Sequence, residues 1–344
     1  MPGSSGRLGD ASATNSFPPH SRCGAAAAWC CGDAAKPLAP PVRAAAIVPG
    51  VPMPAPAADP AADPTLPQAL VVGAEKCGTS TLTGLIDAHP DGFVCTPKEP
   101  HFFSRDDQWD RGVDWYRSLF EPGRAAAVRA EGSVTIAYAS RSERAIPRIR
   151  EVLGDPAIVF IARHPVRRIE SRWRMRQSFE PAGGRESFEQ FVRDRWDYLI
   201  DNSRYAERLA PFAAAFGRVS VLLFEDLVAD RDAVVRRLYE AVGLDASFRP
   251  EAVHRNRPAA VRERDAVTRL RQSAAYRAVR DWLPPGLRSQ VASRTRVTVD
   301  HAFAWPPDLL AEVENAVRDD AAAFLRSIGR PAEFWAFGSQ PPGE

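Results

Sequence analysis

The chain has 344 residues, a formal net charge of +2 and a hydrophobic content of 45%. A chain of this length and composition forms one large globular domain or two small ones. Its near-neutral charge gives no electrostatic reason to expect a nucleic acid partner. The five cysteines are odd in number and include no CxxC pair, so neither a disulfide framework nor a zinc site is expected.

The sequence contains no run that approaches the ~20 apolar residues needed for a membrane span. The Ala-rich stretch at 24–31 is too short and too weakly apolar for a signal peptide. We therefore expect a cytoplasmic protein with no integral membrane segment. Residues 1–66 are rich in Ala, Pro, Gly and Ser and show no periodicity, which predicts a disordered tail. Residues 67–340 are expected to form a single domain.

Apolar runs and helical patterns alternate along this domain. The runs at 69–72, 157–161 and 219–224 predict buried strands. Amphipathic patterns predict a helix at 232–242 and a last helix near 307–328. Strands that alternate with helices indicate an α/β fold with a central parallel sheet flanked by helices in three layers. In such folds ligands bind at the carboxyl ends of the strands.

The segment LVVGAEKCGTSTL at 70–82 joins an apolar run, a glycine loop and the start of a helical pattern. Such a junction forms a nest of backbone N–H groups that binds a phosphate or sulfate oxyanion. The loop is P-loop-like, but Lys76 precedes Gly78 where a Walker loop has its lysine after the last glycine. The candidate anion-binding residues are Lys76, Cys77, Gly78, Thr79, Ser80 and Thr81. The alternative is an ordinary strand-to-helix turn in which Cys77 is a small filler.

The segment PKEPHFF at 97–103 holds a carboxylate between two prolines and before an aromatic pair. A side chain fixed in this way is suited to general-base catalysis, which typically contributes ~10²–10⁴-fold in rate. Glu99 is therefore a candidate base. The alternative is a solvated Lys98–Glu99 pair on a loop.

The segment FIARHPVRRIES at 160–171 predicts a strand that ends near Arg163 and a helix that begins at Pro165. Ser171 follows about two turns into that helix, so Arg163 and Ser171 can clamp a second phosphate. The alternative is an arginine-rich exposed helix face. We expect most of the other arginines to form such a face, namely Arg167, Arg168, Arg172, Arg174 and Arg176.

Together these segments indicate a ligand with two anionic ends beside a carboxylate base. In this combination the chain resembles the sulfotransferases that use 3′-phosphoadenosine 5′-phosphosulfate (PAPS), and it is most similar to the branch of the heparan sulfate sulfotransferases and their bacterial relatives. GAEKCGTSTL resembles the family's 5′-phosphosulfate loop, RHPVRRIES its 3′-phosphate motif and KEPHFF its segment with the catalytic glutamate. The resemblance continues through 110–117, 203–206 and the expected strand end at 224–227.

The resemblance implies PAPS as co-substrate and no metal. Lys76 would contact the bridging oxygen and the 5′-phosphate, while the glycine loop holds the phosphosulfate. Arg163 and Ser171 would hold the 3′-phosphate. Tyr205 and Arg255 are further candidates for cofactor contacts, and Arg255 would help to replace a C-terminal glycine- and lysine-rich loop of the family that has no clear match here.

On the acceptor side, the resemblance implies that a hydroxyl or amine of a glycan or small molecule attacks sulfur in line. Glu99 would take its proton, and His101 is the competing candidate base. Many relatives that act on glycosaminoglycans have a lysine at the place of Gly132. This difference weakens the case for a heparan-type acceptor more than the case for PAPS.

Two other classes of function remain open. A P-loop nucleotide-dependent, kinase-like phosphotransferase needs a lysine after the last loop glycine and an aspartate that holds magnesium, but here Thr79 follows Gly78. A non-catalytic nucleotide-binding protein with this fold has no need for both Lys76 and Glu99. The acceptor itself cannot be read from the sequence, because acceptor pockets are built from variable loops.

Overall fold

The structure is a computed structural model that describes residues 63, 65–179, 186–250, 261–263, 296–298 and 303–338. Almost all of the predicted disordered tail lies outside these residues, so its disorder stays a prediction. In the described part of the chain, no helix is both long enough and apolar enough to cross a membrane.

Five parallel strands form the central sheet, in the order β2-β3-β1-β4-β5. The strands are β1 (Ala69–Gly73), β2 (Gly92–Val94), β3 (Val128–Glu131), β4 (Ala157–Ala162) and β5 (Val219–Leu223). Ala69 of β1 lies opposite Ala130 of β3 and Ala157 of β4. The strands β1, β3 and β4 are buried along their whole lengths, as expected for parallel strands covered on both faces.

The predicted α/β fold with a parallel sheet is confirmed, and the three predicted strands are β1, β4 and β5. The expectation that 224–227 forms a strand end is wrong, because Phe224 begins a helix, Phe224–Ala229. Strands β2 and β3 were not predicted. They are short, with three and four residues respectively. In addition, β3 contains the buried charged residues Arg129 and Glu131, which interrupt the apolar run expected of a buried strand.

Helices cover both faces of the sheet. The described α-helices are α1 (Thr79–Asp87), α2 (Asp106–Trp109), α3 (Gly112–Ser118), α4 (Ser142–Leu153), α5 (Pro165–Phe179), α6 (Phe188–Asp194), α7 (Trp196–Asp201), α8 (Tyr205–Ala215), α9 (Phe224–Ala229), α10 (Arg231–Val242) and α11 (Pro307–Ser327). Helices α1 and α10 pack on each other and on the sheet, whereas α8 packs on β4 together with α4 and α11. The helices predicted at 232–242 and 307–328 are confirmed as α10 and α11.

Short elements complete the described chain. Three 3-10 helices occur at Glu121–Gly123, Val134–Ala137 and Ala332–Phe334. An antiparallel pair is formed by β6 (Val261–Glu263) and β7 (Arg296–Thr298).

Two clusters of buried apolar side chains hold the layers together. The larger one surrounds the sheet and includes Phe160 and Tyr205, and the smaller one includes Trp173 of α5 and Val313 of α11. Full burial of one large apolar side chain contributes about 1.5–3 kcal/mol. The smaller cluster therefore fixes α5 against α11.

The carboxyl ends of the parallel strands lie along one edge of the sheet, where ligands bind in open α/β folds. At this edge β1 runs into the glycine loop, β4 into Arg163, β3 into Gly132 and β5 into Phe224. The fold thus brings together segments that are far apart in the sequence.

Candidate active site

The glycine loop (residues 73–81, here called the anion loop) ends β1 and begins α1. Lys76 has a φ of 67° and Gly78 a φ of 105°, so the chain makes two left-handed steps before Thr79 starts the helix. A Cβ added at Gly78 would lie 3.1 Å from a ring carbon of Phe224, so this position requires glycine. The first N–H groups of α1 have no intrahelical acceptor and lie at the positive end of the helix dipole. This geometry is that of an oxyanion site.

Glu75 fastens the anion loop to neighbouring helices. Arg168 Nη1 lies 3.6 Å from Glu75 Oε2, and Arg172 Nε lies 3.3 Å from Glu75 Oε1. Tyr198 also donates a hydrogen bond to the Glu75 carboxylate. The loop is therefore held by α5 and α7 before any ligand binds.

The expectation of an exposed arginine face on α5 is wrong. The side chain of Arg168 is 0% exposed and donates hydrogen bonds to Ser203 Oγ at 2.9 Å and to the carbonyl of Leu199 at 2.6 Å. The Arg172 side chain is 17% exposed. Both guanidinium groups face Glu75 of the anion loop, and that of Arg168 also contacts α7 through Leu199. A buried guanidinium is tolerated where a carboxylate and hydrogen bonds offset its desolvation, and Arg168 has Glu75, Ser203 and Leu199 as such partners.

Lys76 lies among positive charges. Its Nζ lies 3.3 Å from the thioether sulfur of Met175, a weak acceptor. Burial lowers the pKa of the Lys76 ammonium; Arg172 and Arg163 act in the same direction, and Glu75 opposes them. A bound anion would relieve this repulsion, so the local electrostatics favour an oxyanion.

Arg163 follows β4 and is 7% exposed. Its guanidinium carbon lies 4.4 Å from the ring centre of Phe224, the residue that also closes over Gly78. Ser171 lies in the second turn of α5 and is partly buried. The predicted second phosphate contact thus lies at the same sheet edge as the anion loop.

Tyr205 and Cys77 lie in the core beneath these segments. Tyr205 is 0% exposed, and its hydroxyl donates to the carbonyl of Arg163 at 2.8 Å. The same hydroxyl lies 3.5 Å from Cys77 Sγ. Tyr205 would therefore support a ligand indirectly, by positioning Arg163 and Cys77. Burial raises the pKa of the Cys77 thiol to about 11, which keeps it protonated and fits a small filler.

Glu99 is joined to the anion loop by its neighbour. Lys98 Nζ lies 2.8 Å from Glu99 Oε1 and donates to Ser80 Oγ at 3.3 Å. The side chains of Lys98 and Glu99 are 27% and 30% exposed, so they are only partly solvated. The Lys–Glu pair exists, but it bridges the first turn of α1 to the candidate base instead of standing alone on a loop.

The end of β3 holds the segment that carries Glu99. The Gly132 amide donates to the Lys98 carbonyl at 3.0 Å, and the His101 amide donates to Ser133 Oγ at 3.1 Å. A Cβ added at Gly132 would lie 2.6 Å from Thr83 Cγ2 and 3.5 Å from Lys98 Cε. Glycine at this position therefore leaves room for the Lys98 stem to pass.

His101 stands next to Glu99 and is held by hydroxyls. Its Nε2 lies 4.0 Å from Glu99 Oε2, and its Nδ1 lies 2.8 Å from Thr135 Oγ1. Thr135 Oγ1 lies 2.7 Å from Ser104 Oγ. Burial lowers the pKa of His101 although Glu99 opposes the shift, so the imidazole is neutral at pH 7. Both candidate bases thus occupy one place in the fold.

Glu131 is a buried carboxyl beneath this segment. It is 0% exposed, and Ser133 Oγ donates to its Oε2 at 2.9 Å. Burial raises the pKa of Glu131 to about 8, so it is protonated at neutral pH. Its hydrogen bond to Ser133 links the core to the His101 backbone.

Sequence reasoning did not single out Glu75, Thr135 or Met175. Glu75 could have been predicted to have cationic partners, because a carboxylate within an anion-binding loop would otherwise repel the ligand. The contacts of Thr135 with His101 and of Met175 with Lys76 join distant segments and leave no local pattern.

One residue of the predicted site cannot be placed. Arg255 falls outside the described residues. Among the residues that the structure does describe, no group of three or more His, Cys, Asp or Glu side chains is arranged to hold a metal ion.

The fold is thus a parallel α/β sheet that carries a P-loop-like anion loop, a second cationic residue and a carboxylate along one edge, where ligands bind in open α/β folds. Residues 126–248 match the model of the Sulfotransferase family, a range that contains Arg163 and Ser171 but neither Lys76 nor Glu99. This match confirms the resemblance to sulfotransferases that was predicted from the motifs.

Curated relatives point the same way. The chain is 31% identical over 189 residues to heparan sulfate glucosamine 3-O-sulfotransferase 3B1 of Mus musculus, which covers 52% of this chain and 46% of the relative. It is 30% identical over 205 residues to heparan sulfate glucosamine 3-O-sulfotransferase 6 of Homo sapiens, which covers 57% and 56%. The chain thus spans about half the length of the curated relatives that it matches.

Among solved structures, a sulfotransferase from Alicyclobacillus acidocaldarius matches with a TM-score of 0.56 and 23% identity, over 78% of this chain and 98% of that one. At this level of identity the match shows a shared fold.

Proposed function

We propose that this protein is a sulfotransferase that transfers the sulfuryl group of PAPS to a hydroxyl or amine of a glycan or small-molecule acceptor. One observation carries the proposal. Lys98 Nζ reaches both Ser80 Oγ and Glu99 Oε1, at 3.3 Å and 2.8 Å, so an oxyanion loop and a carboxylate base meet at one point.

The residues present fit the donor. PAPS supplies a transferable sulfuryl group on one anionic end and a 3′-phosphate on the other. The anion loop offers the start of a helix, the Lys76 ammonium and the hydroxyls of α1, which suit the phosphosulfate. Arg163 and Ser171 suit the 3′-phosphate. Gly78, which has no side chain and a φ of 105°, lets the loop backbone approach the ligand closely.

Glu99 serves as the general base in this proposal. The acceptor oxygen or nitrogen forms a bond to sulfur while the bond from sulfur to the bridging phosphate oxygen breaks. The acceptor proton moves to the Glu99 carboxylate, and the electron pair of the broken bond leaves with adenosine 3′,5′-bisphosphate. Lys76 stabilises the negative charge that grows on the leaving oxygen. His101, 4.0 Å from Glu99, is the alternative proton acceptor.

A glycan acceptor is supported by the names of the relatives, which are heparan sulfate glucosamine 3-O-sulfotransferases. That name states the acceptor of those proteins. Here it supports a sugar hydroxyl as the first class of acceptor to try.

The donor is tested by calorimetric titration with adenosine 3′,5′-bisphosphate. We expect binding that needs no metal and that weakens at least tenfold in Lys76→Met. ATP binding that requires magnesium, together with no binding of the bisphosphate, would replace this proposal with a phosphotransferase.

The base is tested with labelled PAPS and a set of hydroxyl compounds. We expect Glu99→Gln to lose ~10²–10⁴-fold in turnover and to keep its affinity for the bisphosphate. Glu121→Gln removes an exposed carboxylate elsewhere and serves as the matched control. Unchanged transfer by Glu99→Gln, with loss in His101→Gln, would move the role of base to His101.

A further inference from the structure

An open cavity of about 440 Å³ lies beside the segment that carries the candidate base. Its lining comes from the start of α2 and the start of α4. It consists of three arginines, two aspartates and two serines, which are Arg105, Arg141, Arg144, Asp106, Asp107, Ser104 and Ser140. All of these residues are polar or charged, so the cavity suits a strongly polar or charged group.

The charges in this cavity do not cancel. Arg105 is paired with Asp107 through two hydrogen bonds of 2.9 and 2.7 Å. Asp106 is shared by Arg144 at 2.6 Å and by Arg148 at 2.8 Å. Both aspartates are thus already neutralised.

Arg141 differs from its neighbours. Among the described residues it has no carboxylate partner, and its Nη1 donates to the carbonyl of Ser104 at 3.2 Å. A guanidinium carries five N–H donors, so most of those on Arg141 stay available to a ligand. Arg141 is therefore the cation in this cavity that is best placed to receive an anion.

The cavity is connected to the reactive segment. Ser104, in its wall, lies 2.7 Å from Thr135 Oγ1, which lies 2.8 Å from His101 Nδ1. His101 in turn lies 4.0 Å from Glu99. Arg105 and Arg141 both help to lower the pKa of His101, which agrees with their closeness to it. The cavity wall and the candidate base thus lie on one short segment, residues 99–107, and we take a group in the cavity and a hydroxyl at Glu99 to belong to one acceptor molecule.

We propose that this cavity binds an anionic group of the acceptor, a carboxylate or a sulfate ester, with Arg141 as the specificity-determining residue. The inference rests on the proposed sulfuryl transfer and names the class of acceptor. Hydrogen bonds between guanidinium and carboxylate or sulfate oxygens are short and directional, so they orient as well as bind. Substrates with an acidic group near the reacting hydroxyl are then preferred over neutral ones.

The test uses three small probes in the presence of saturating adenosine 3′,5′-bisphosphate, which occupies the donor anion site. The probes are methyl glucuronide for a carboxylate, glucose 6-sulfate for a sulfate ester and methyl glucoside as the neutral control. Binding is followed by NMR titration of the wild type, Arg141→Met, Arg141→Lys and Arg124→Met. Arg124 is an exposed arginine outside the cavity, with a side chain 69% exposed, and is the matched control.

We expect one or both anionic probes to bind at least tenfold more tightly than the neutral probe. Arg141→Met should remove this preference, Arg141→Lys should restore part of it, and Arg124→Met should keep it. Which anionic probe binds better decides between a carboxylate and a sulfate ester. A tenfold effect corresponds to about 1.4 kcal/mol, which one charged hydrogen bond can supply.

Equal binding of all three probes to the wild type, or an anionic preference that survives in Arg141→Met, overturns the proposal. The donor titration separates this failure from failure of the proposed function. If the bisphosphate does not bind, the sulfuryl-transfer proposal fails, whereas bisphosphate binding without anionic preference removes only the cavity proposal. Thermal unfolding of each variant shows whether a loss of binding reflects loss of the fold.

Discussion

Arg168 Nη1 of α5 lies 3.6 Å from the carboxylate of Glu75 in the anion loop, and the Arg168 side chain is 0% exposed. The pair ties the loop to a helix through a guanidinium that water does not reach and a carboxylate that is 11% exposed. Loss of Glu75 would leave Arg168 buried without a carboxylate, and loss of Arg168 would leave Glu75 with Arg172 as its remaining cation, so either change is destabilising. The position of the anion loop therefore depends on a contact with α5 as well as on the residues proposed to bind the donor.

We predict that Arg168→Met lowers the free energy of unfolding by roughly 3–5 kcal/mol. The variant leaves Glu75 with fewer cations and removes two hydrogen bonds to Ser203 and Leu199. Urea denaturation measures the change. Arg193→Met removes an exposed arginine paired with Glu189 and should change stability by less than about 1 kcal/mol. Equal effects of the two substitutions would contradict a structural role for the buried arginine.

Gly132→Ala should displace the Glu99 segment. The new Cβ would lie 2.6 Å from Thr83 Cγ2, a distance that forces a shift of β3 or of α1. We expect a loss of stability of about 1–3 kcal/mol and a fall in turnover with the bisphosphate affinity kept.

Thr83→Ser provides a rescue for this variant. Serine lacks the methyl group that clashes but keeps the hydroxyl, which donates to the carbonyls of Thr79 and Ser80. The double variant Gly132→Ala/Thr83→Ser should recover most of the stability. If it does not, the clash is not the cause.

Lys98→Met should separate the anion loop from the candidate base. The substitution keeps an unbranched stem over Gly132 but removes the ammonium that joins Ser80 to Glu99. We expect kcat to fall at least tenfold and the KM for the donor to change less. Steady-state kinetics with labelled PAPS measures both quantities. A change in KM alone would assign Lys98 to donor binding only.

Glu131 should make stability depend on pH. Burial raises the pKa of Glu131 in the folded state to about 8, from 4.5 for an unburied glutamate, so the folded state binds a proton more tightly than the unfolded chain. The stabilisation is fully present below about pH 4.5 and is lost as the pH rises through 8. The total contribution of Glu131 to the free energy of unfolding is up to a few kcal/mol.

Glu131→Gln is the matched variant for this prediction. Glutamine stays neutral and can accept the hydrogen bond from Ser133, so its stability should fall less between pH 5 and 8. Asp320, whose pKa burial raises to about 6, acts equally in both proteins. Denaturation at several pH values measures the difference. Parallel curves for the two proteins would show that Glu131 is ionised in the folded state.

The sequence was sufficient for features encoded in contiguous residues. Apolar runs predicted β1, β4 and β5, and the segments of Lys76, Glu99 and Arg163 were singled out because each carries its own local pattern. The roles of these residues as donor contacts and base stay predictions. What the sequence did not reveal depends on packing between distant segments. The burial of Arg168 depends on its contacts with α7, which is distant in sequence. The strand β3 could not be predicted because Arg129 and Glu131 interrupt its apolar pattern.

The ends of different strands contribute to different halves of the candidate site. β1 and β4 lead into Lys76 and Arg163, whereas β3 leads into Gly132 and Ser133, which hold the His101 segment. In the proposed sulfuryl transfer, the donor and acceptor functions are thus carried by separate connections on a shared scaffold. An engineer who wished to redirect the protein to another acceptor could exchange the cavity segments 104–107 and 140–144 and leave both Glu99 and the donor loop in place.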